Sequence, residues 1–531
     1  MLPLFTALLL VAAVPAASAA PVDLLSGQDW SHFAGAEQSA DGVRITGLDR
    51  WITDTDYQRS QANPPVNVLG PRLAVTGDFQ VDAKVSGSGS LQLYGALPII
   101  YDEWRQEPPS VRVGVTGGKL AIAVWDGKSD KPVQTAKFGS AVPATTTIGV
   151  KHVGSELAFS VDGQQVGKVA DRGAFSSGQV WFGADAPAGQ SWSLTSLRAT
   201  GKVQVLTAPD WRQNKVAGSW RATAEALPRK VGVGSAIAIA PLVSDDRYRA
   251  TAGEQFDLIT PENDMKPQFV QPRRGVFAFA EADALVDFAR ANDIDVHAHT
   301  LVWFEALPTW MRSAPDKKTV MLDHIRAVAG HFAGRVKEWD VVNEPINEDN
   351  SDGLEHNLWY QAMGADYIAQ AFRTARETDP NAVLYLNEYG AEADGGRWQA
   401  LYSLVKKLKQ NGVPIDGVGL QSHEYSAGER VPAETFRKHV KALNALGLKV
   451  RVSEMDVSTS DTAVQAKQFG ERMTVCRQEP NCTGFTTWGF TDKYGSTATV
   501  NQYPAVPGNA LPWSASYKPK KAYTALVDAL R

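Results

Sequence analysis

A strand-like stretch of the sequence ends in residues that could take part in catalysis. The segment KEWDVVNEPINED (337–349) contains an apolar run that leads directly into Asn343, Glu344 and Pro345. Proline has no N–H to donate to a strand ladder, so the strand should end here and leave the amide and the carboxylate at its exit. Trp339, in the same run, is interpreted as a core residue.

A second glutamate, Glu454, lies in another apolar run, LKVRVSEMD. Two carboxyl groups that face each other repel, which raises the pKa of one of them and lets it keep a proton near neutral pH. Glycoside hydrolysis uses such a pair: one carboxyl group protonates the leaving oxygen, and the other attacks the sugar or activates water. Taken alone, either glutamate could instead form a salt bridge at a strand end. The secondary-structure elements that position the two glutamates are therefore needed to distinguish a catalytic pair from two structural residues.

After about Trp211 short apolar segments alternate with amphipathic segments, a pattern typical of a parallel α/β domain. The strand candidates are KVGVGSAIA, FDLITPEN, DVHAHTLVW, VKEWDVVNE, AVLYLNEY, IDGVGLQSH, LKVRVSEMD and TGFTTWGFTD. Apolar residues at helical spacing fall between them, namely Leu401, Leu404, Val405 and Leu408 in one segment and Phe436, Val440 and Leu443 in another. Eight such units in about 300 residues predict a (β/α)8 TIM barrel.

In a TIM barrel the active site lies at the carboxyl ends of the strands. The polar or aromatic residues at the ends of strands two to eight are Asn263, Trp303, Glu344, Glu388, His423, Glu454 and Asp492. Glu454 and Asp456 should leave their strand on one side while Met455 points away, because strand side chains alternate. We therefore expect Glu344 and Glu454 to face each other across the barrel mouth.

Six motifs resemble, in order, those of glycoside hydrolase family 10, the family of endo-β-1,4-xylanases. They are TPENDMK (260–266), HTLVW (299–303), WDVVNE (339–344), QSH (421–423), VSEMD (452–456) and TTWGFTDKY (486–494). The resemblance covers about residues 215–531 and implies a TIM-barrel enzyme that hydrolyses β-1,4-xylosidic bonds in xylan. It implies retention of configuration by a two-glutamate double displacement.

The resemblance also implies a role for each matching residue. Glu344 matches the acid/base, Glu454 the nucleophile, and Asn343 the amide that binds the sugar 2-hydroxyl. His423 and Asp456 match the polar partners that keep the nucleophile ionised, and His423 also borders the sugar. The other substrate-binding positions are Glu262, Asn263 and Lys266 for sugars on the non-reducing side, and His299, Trp303, Gln421 and Trp488 for the walls beside the scissile bond.

Three positions depart from the family pattern. Pro267 stands where the family has Trp, Phe304-Glu305-Ala306 where it has His-Ser-Gln, and Gly495-Ser496 where it has Ser-Trp. Without the last aromatic, a hexose would have room for its C6 hydroxymethyl group. The alternative function is therefore a retaining β-glycosidase that acts on a hexose-containing or decorated plant glycoside. A carbohydrate-binding protein without catalysis is a further alternative, against which the retention of both glutamates counts.

The sequence before the barrel is strand-like and rich in turns. Segments such as KLAIAVWDGK alternate apolar with polar residues, and the Asp-Gly pairs at 126–127 and 162–163 indicate hairpins. These patterns predict an all-β sandwich over residues 21–205, which weakly resembles lectin-like modules attached to glycosidases, followed by a catalytic domain over residues 206–531. Four tryptophans, Trp30, Trp51, Trp104 and Trp125, are candidates either for polysaccharide binding or for core packing.

The composition and the first residues of the chain indicate where the protein is located and which partners it can have. The net charge is −5, and no Lys/Arg-rich run is present, which argues against nucleic acid as a partner. Residues 1–20 combine an apolar run with a small-residue cleavage pattern, which predicts a signal peptide, although no basic residue precedes the run. We expect a secreted, extracellular monomer that is not membrane-bound and acts on a polysaccharide or oligosaccharide.

The two cysteines, Cys476 and Cys482, are expected to form a disulfide in an oxidising compartment; two free thiols are the alternative. His297 and His299 share a strand face and could suggest a metal pair, but no third ligand is suitably spaced. The sequence therefore predicts neither a metal nor another cofactor.

Overall fold

The computed structural model describes residues 20–25, 35–47, 68–95, 109–116, 118–128, 132–187, 189–206, 210–425, 430–494 and 509–531. Nearly all of the predicted signal peptide lies outside these ranges. So do Trp30, Trp51, Trp104 and the Gly495-Ser496 departure. The interpretations that depend on them stay predictions.

The N-terminal region is all-β, as the alternating sequence predicts. Its strands are β1 (Val22–Asp23), β2 (Ala36–Ser39), β3 (Gly42–Thr46), β4 (Val68–Gly87), β5 (Gly89–Tyr94), β6 (Ser110–Thr116), β7 (Lys119–Trp125), β8 (Gln134–Ala141), β9 (Thr145–Val153), β10 (Glu156–Val161), β11 (Gln164–Ala170), β12 (Gln179–Asp185) and β13 (Ser191–Leu206). The long strand β4 pairs with β12 near its start and with β9 near its end, which joins the two groups of strands into one continuous antiparallel sheet.

The Asp-Gly pairs mark connections between antiparallel strands, as predicted. Asp162 and Gly163 form the two-residue turn between β10 and β11, and both have positive φ, at 49° and 81°. That conformation matches the right-handed twist of the paired strands and favours Asp-Gly. Asp126 and Gly127 begin the longer connection from β7 to β8.

The C-terminal region alternates strands and helices. Its strands are β14 (Gly232–Ile237), β15 (Leu258–Pro261), β16 (Asp295–Val302), β17 (Glu338–Asn343), β18 (Val383–Glu388), β19 (Gly417–Leu420), β20 (His423–Glu424), β21 (Lys449–Val457) and β22 (Cys482–Thr487). Its helices are α1 (Trp220–Glu225), α2 (Ile239–Ser244), α3 (Asp246–Gln255), α4 (Pro267–Val270), α5 (Ala280–Ala291), α6 (Thr309–Ser313), α7 (Lys317–Phe332), α8 (Leu358–Met363), α9 (Asp366–Thr378), α10 (Gly396–Gln410), α11 (Ala433–Ala445), α12 (Thr462–Gln478) and α13 (Lys521–Leu530).

Eight of these strands close into a parallel barrel. The order is β14-β15-β16-β17-β18-β19-β21-β22, and β22 pairs again with β14. All eight predicted strands are therefore confirmed, and so is the TIM barrel. Strand β21 has the length of the predicted segment LKVRVSEMD but is displaced by one residue toward the carboxyl end, where the short strand β20 pairs with Asp456 and Val457.

The helices cover the barrel with the apolar stripes that the sequence predicts. In α10 the buried side chains include Leu401, Leu404, Val405 and Leu408, and in α11 they include Phe436, Val440 and Leu443. Cys476 at the end of α12 and Cys482 at the start of β22 form the predicted disulfide. None of the helices in the described part of the chain is long and apolar enough to cross a bilayer.

The two regions are connected after β13, which ends at Leu206. Arg72 of β4 donates to the carbonyl of Ser244 and lies 3.5 Å from the Asp246 carboxylate, at the junction of α2 and α3. This segment follows the first barrel strand, so the contact lies toward the carboxyl end of the barrel. The exact domain boundary stays a prediction.

Candidate active site

Glu344 lies immediately after β17, where the strand ends before Pro345 as expected. Its carboxylate accepts hydrogen bonds from Trp303 Nε1 and Gln421 Nε2, each at 2.8 Å. Burial raises the pKa of Glu344 above its usual value, and the charge of Glu454 raises it further, against the lowering effect of the Gln421 and Trp303 hydrogen bonds. Neutral donors therefore hold a carboxyl group that tends to keep its proton.

Glu454 of β21 is 5% exposed and has different partners. Asn387 Nδ2 donates to one carboxylate oxygen at 2.6 Å, and His423 Nε2 lies 3.2 Å from the other. Burial acts to raise the pKa of Glu454, but the hydrogen bond from His423 and the charges of His299 and His423 outweigh it. The pKa of Glu454 therefore lies below its usual value, so this carboxylate is ionised.

His423 is fixed between two carboxylates. Its Nδ1 lies 3.0 Å from Asp456 Oδ1, on the side opposite the contact with Glu454. Burial lowers the pKa of His423, but the charge of Asp456 and the hydrogen bonds to both carboxylates raise it well above its usual value. The ring is therefore a cation beside Glu454, and Glu454 and Asp456 meet the same ring, as their spacing predicted.

Asn387 of β18 is a site residue that the sequence reasoning missed. It is fully buried, and its Nδ2 donates both to Glu454 and, at 2.9 Å, to Asn343 Oδ1. Its own oxygen accepts from Ser453 Oγ at 2.6 Å. The strand period contained the signal, because Asn387 shares a face with the inward Tyr385, whereas its neighbour Glu388 does not.

Lys266 and the aromatic residues border the same space. Lys266 Nζ donates to Asn263 Oδ1 at 2.8 Å and lies 5.3 Å and 5.7 Å from the ring centres of Trp303 and Trp488. Burial lowers the pKa of Lys266, and the charges of Glu454, Glu262 and Glu344 oppose that effect.

His299 packs edge-on against Trp488, with ring centres 5.4 Å apart. The predicted residue Glu262 is half-buried at the end of β15, where its N–H donates to the Ile237 carbonyl. The structure thus brings the predicted substrate-binding positions to one end of the barrel.

Two residues expected at the mouth serve the surrounding structure. Glu388 accepts from the Ile346 N–H at 3.0 Å and pairs with Arg397 at 2.9 Å, which holds the loop after Glu344. Asp492 pairs with Lys520 at 2.9 Å and accepts from the Leu511 N–H. The Glu388 side chain lies on the opposite face of β18 from Asn387, because a one-residue step along a strand reverses the direction of the side chain. Asp492 follows β22 and is held by the carboxyl-terminal segment.

Two of the three departures from the family pattern, at Pro267 and at Phe304-Glu305-Ala306, lie among the residues that the structure describes. Phe304 is half-buried and meets Trp303 edge-on, with ring centres 6.4 Å apart, and Glu305 is exposed. Pro267 is buried at the first position of α4, where its missing N–H has no partner to lose. The Ser496 position lies outside the described residues.

A second charged group lies deeper in the barrel, and we name its members, His297, Glu338, Asp340 and Arg451, the lower layer. Arg451 donates to Glu338, and His297 lies 2.9 Å from both Glu338 and Asp340. Asp340 continues to His299 Nδ1 at 2.9 Å, which links the lower layer to the active site. Among the described residues, no group of three or more His, Cys, Asp or Glu side chains is arranged to hold a metal ion. The absence of a metal from catalysis stays a prediction.

Known proteins share this barrel. Endo-1,4-beta-xylanase B of Thermotoga neapolitana is 34% identical over 321 residues, which is 58% of this chain and 91% of that protein. Native xylanase 10B from Thermotoga maritima superimposes with a TM-score of 0.55 at 35% identity, covering 59% of this chain and 98% of that one. Xylanase 10B from Thermotoga petrophila, solved in complex with xylobiose, gives 0.55 at 34% identity, covering 60% and 98%.

The sequence model described as Glycosyl hydrolase family 10 matches residues 222–529. The match begins after the all-β region and spans the whole eight-stranded barrel. Because it covers more than half of the sequence, and because the barrel agrees with the solved structures at more than 30% identity, the chain belongs to glycosyl hydrolase family 10.

Proposed function

We propose that this glycoside hydrolase is a retaining endo-β-1,4-xylanase in which Glu454 is the nucleophile and Glu344 is the acid/base. The observation that carries the proposal is that the pKa values of the two carboxyl groups are shifted in opposite directions. The pKa of Glu344 is raised by burial, whereas the pKa of Glu454 is lowered by His423 despite burial. A protonated acid and an ionised carboxylate at one site are what double displacement requires.

In the first step the Glu454 carboxylate attacks the anomeric carbon, while Glu344 gives its proton to the glycosidic oxygen. The bond from the anomeric carbon to that oxygen breaks, and the aglycone leaves as an alcohol. The sugar is then held as an ester of Glu454, and Glu344 is ionised. Before the reaction, the protonated ring of His423 and the amide of Asn387 donate hydrogen bonds to the Glu454 carboxylate. These hydrogen bonds keep the carboxylate ionised and oriented.

In the second step Glu344, now a base, takes a proton from water, and the water oxygen attacks the anomeric carbon. The ester bond to Glu454 breaks, and both carboxyl groups return to their starting states. Two inversions at one carbon give net retention.

Asn343 is suited to bind the sugar hydroxyl beside the reacting carbon. Its oxygen accepts from Asn387, so its carboxamide nitrogen is the side that can donate to the sugar. Hydrogen bonds to the 2-hydroxyl that strengthen in the transition state contribute several kcal/mol in this chemistry.

The relatives support xylan as the substrate. The curated relative and both solved structures are named as xylanases, and one of those structures contains xylobiose. The indoles of Trp303 and Trp488 flank Lys266, and an indole face suits the C–H face of a sugar, while the ammonium suits its hydroxyls.

A hexose-containing or decorated glycoside is the second candidate substrate. The observation that favours it is Phe304, a half-buried phenyl ring beside Trp303 where the family has a polar residue. Sugar contacts made there by polar groups in other members are lost, which changes what the site selects and leaves the two-glutamate chemistry unaffected.

We also propose that the enzyme is exported. The disulfide between Cys476 and Cys482 supports this, because disulfides persist in oxidising compartments outside the cytoplasm. Amino-terminal sequencing of the protein recovered from culture medium tests it: a mature start near residue 21 is expected, and retention of the intact chain inside cells would contradict export.

The central experiment follows hydrolysis of xylohexaose by ¹H NMR. The β-anomer of the new reducing end is expected first, together with internal cleavage products. An initial α-anomer would mean that the carboxyl groups are far enough apart to admit water, as in inverting enzymes, instead of about 5–5.5 Å. Parallel kcat/KM values for xylan, mixed-linkage glucan and cello-oligosaccharides separate the two candidate substrates.

A further inference from the structure

A cavity of about 510 Å³ opens on the surface of the barrel, and we name it the α7 pocket. Its walls come from the segment after α4, from α6 and from α7. The first two walls belong to the connections after β15 and β16, which also carry Lys266 and Trp303 of the active site. The lining side chains are not those of the active site, and the ones used below are Gln271, Arg274, Phe277, Trp310, Asp323 and Arg326.

The α7 pocket is open to solvent and has the size of a small-ligand site. The side chains of Arg274, Asp323 and Arg326 are 55%, 65% and 53% exposed. Small-molecule sites occupy roughly 300–1,000 Å³ and combine aromatic walls with a few polar groups. A ligand can therefore enter this pocket without a rearrangement of the fold.

Phe277 gives the pocket an exposed aromatic ring that is fixed in orientation. Among the aromatic side chains that the structure describes, only Phe277 and Tyr389 are more than a third exposed, at 36% and 42%. The Phe277 ring stacks on Phe279, with centres 5.5 Å apart and planes at 13°, and Phe279 stacks on His331 at 3.9 Å and 10°. Phe279 covers one face of the Phe277 ring, which leaves the other face for a ligand.

Gln271 supplies a fixed amide group. The residue is 5% exposed, and its backbone carbonyl accepts from Trp310 Nε1 at 3.0 Å. Its side-chain Oε1 lies 2.8 Å from His324 Nδ1, which holds the amide in place. Its Nε2 has no hydrogen-bond partner among the described residues and is not sealed from solvent. The amide nitrogen is therefore a positioned donor in the wall of an open cavity.

The charged side chains at the pocket balance one another. Arg274 donates to both oxygens of Asp316, at 3.0 Å and 2.6 Å, and Arg326 donates to Asp323 at 3.0 Å. Two guanidinium groups thus face two carboxylates, which leaves no excess charge to attract an acidic or a basic ligand. Each group keeps further N–H donors or oxygen lone pairs for hydrogen bonds to a neutral ligand.

We propose that the α7 pocket binds a neutral sugar unit of a glycan chain. The Phe277 ring suits the C–H face of a sugar, and the amide, guanidinium and carboxylate groups suit its hydroxyls. A protein partner fits less well, because the exposed apolar side chains of segment 271–279 are only Val276 and Phe277, whereas a stable interface buries roughly 800 Å² of each partner.

The position of the α7 pocket suits attachment of the enzyme to its substrate. Gln271 follows Lys266 by five residues, and Trp310 follows Trp303 by seven, so both pocket walls continue directly from segments of the active site. A second site close to the first raises the effective concentration of a polymeric substrate without any change in the catalytic groups. This inference goes beyond the proposed xylanase activity and does not depend on it.

The test uses the full chain in a Glu454→Ala background, so that probes are bound without turnover. Xylotriose, cellotriose, mannotriose and, as an acidic probe, trigalacturonate are titrated by calorimetry. In Ala327→Leu, extra carbon atoms fill the pocket from α7, and at least one neutral probe is expected to lose a binding site. Ala442→Leu, the same change at a partly exposed alanine of α11, is expected to keep that site. Identical titrations of the two variants with every neutral probe, or a site that accepts trigalacturonate alone, would overturn the proposal.

Two variants at Phe277 test the aromatic ring. Phe277→Ala should weaken binding at this site by roughly three- to tenfold, because the stacking face is lost. Phe277→Tyr keeps the ring and should keep the affinity within about twofold of the parent. Equal losses in both variants would contradict a stacked sugar.

A further variant separates binding from folding. Arg326→Met removes an exposed guanidinium, so the melting temperature should change little, while affinity at this site should fall by up to about tenfold, the effect of one hydrogen bond. Unchanged affinity would exclude this guanidinium from the site. With Glu454 intact, the variants at positions 277, 326 and 327 should hydrolyse an aryl β-xylobioside at the parent rate. Failure of this proposal can therefore be told apart from failure of the xylanase proposal.

Discussion

The barrel interior carries charged groups at two levels, and the carboxyl groups at the two levels have different kinds of partners. Glu338, at the start of β17, receives the guanidinium of Arg451 and the ring of His297. Glu344, just beyond the end of the same strand, receives an indole N–H and an amide. The first carboxylate is paired with cations, and the second with neutral donors.

The difference in partners gives opposite acidities. Burial acts to raise the pKa of Glu338, but the charge of Arg451 and the hydrogen bond from His297 outweigh it and lower the pKa to about 2. No such pairing outweighs burial at Glu344, whose pKa is raised. Burial alone therefore does not mark a catalytic acid. A buried carboxyl group held by neutral donors keeps a proton that it can give away, whereas one held by cations is a structural anion.

The largest effect is expected for Glu454→Ala. Without a nucleophile no glycosyl-enzyme forms, so activity on both xylan and aryl β-xylosides should fall on the order of 10⁴-fold or more. Glu348→Gln is the matched control, since Glu348 is a rim carboxylate paired with Arg397 outside the catalytic pair. A Glu454→Ala enzyme within tenfold of the parent would refute the role assigned to this residue.

The effect of Glu344→Ala should depend on the leaving group. A natural xylosidic bond needs protonation, so its cleavage should fall by about 10²–10⁴-fold. An aryl glycoside with an acidic phenol needs little protonation, so its first step should survive and appear as a burst of released phenol. Equal losses on the two substrates would argue against Glu344 as the acid.

In the lower layer, a variant should change stability and not chemistry. Arg451→Met leaves Glu338 buried beside only His297, and breaking a buried pair from one side costs about 3–5 kcal/mol of unfolding free energy. Chemical denaturation measures this loss, and kcat of the folded fraction should stay within a few-fold of the parent. Arg326→Met, which removes an exposed arginine paired with Asp323, is the control and should change stability by less than about 1 kcal/mol. A loss of kcat in the folded Arg451→Met enzyme would contradict this prediction and would mean that the lower layer contributes to catalysis.

The sequence predicted the elements better than it predicted side-chain partners. Strand and helix identities depend on local periodicity, which is why all eight barrel strands and the stripes of α10 and α11 could be read directly. The roles of Asn387 and Glu388 depend on which of two adjacent residues points inward and on what a distant strand places opposite it. Glu388 therefore looked like a mouth residue, while Asn387, which contacts both Asn343 and Glu454, was overlooked.

In the N-terminal sheet, the contacts of Arg112 with Asp185 and Trp125 were overlooked for the same reason. An alternating sequence predicts a strand with two different faces, but it does not predict which side chains a neighbouring strand places beside them. Gln92, Arg112 and Asp185 lie on three different strands. Only the register of β5, β6 and β12 brings them together. Sequence reasoning considered Trp125 as a single aromatic, whereas the structure places it under a guanidinium in a network.

The smallest expected effect is a change in the pH profile of Gln421→Leu. Burial raises the pKa of Glu344, and the hydrogen bond from Gln421 lowers it, because that bond favours the ionised form. Removing the donor should therefore move the pKa of Glu344 upward. Glu344 must be protonated to act as the acid, so activity is lost as pH rises through its pKa, and the alkaline limb of kcat/KM should shift to higher pH.

The acid limb gives the internal control for this variant. It reports ionisation of Glu454, whose hydrogen bonds come from Asn387 and His423, so it should stay in place. Since kcat/KM profiles report the free enzyme, weaker sugar binding by Gln421→Leu lowers the whole curve without moving either limb. An alkaline limb that stays fixed, or moves to lower pH, would mean that Gln421 does not stabilise the Glu344 carboxylate. The contrast between the neutral partners of Glu344 and the cationic partners of Glu338 would then no longer explain the acidity of Glu344.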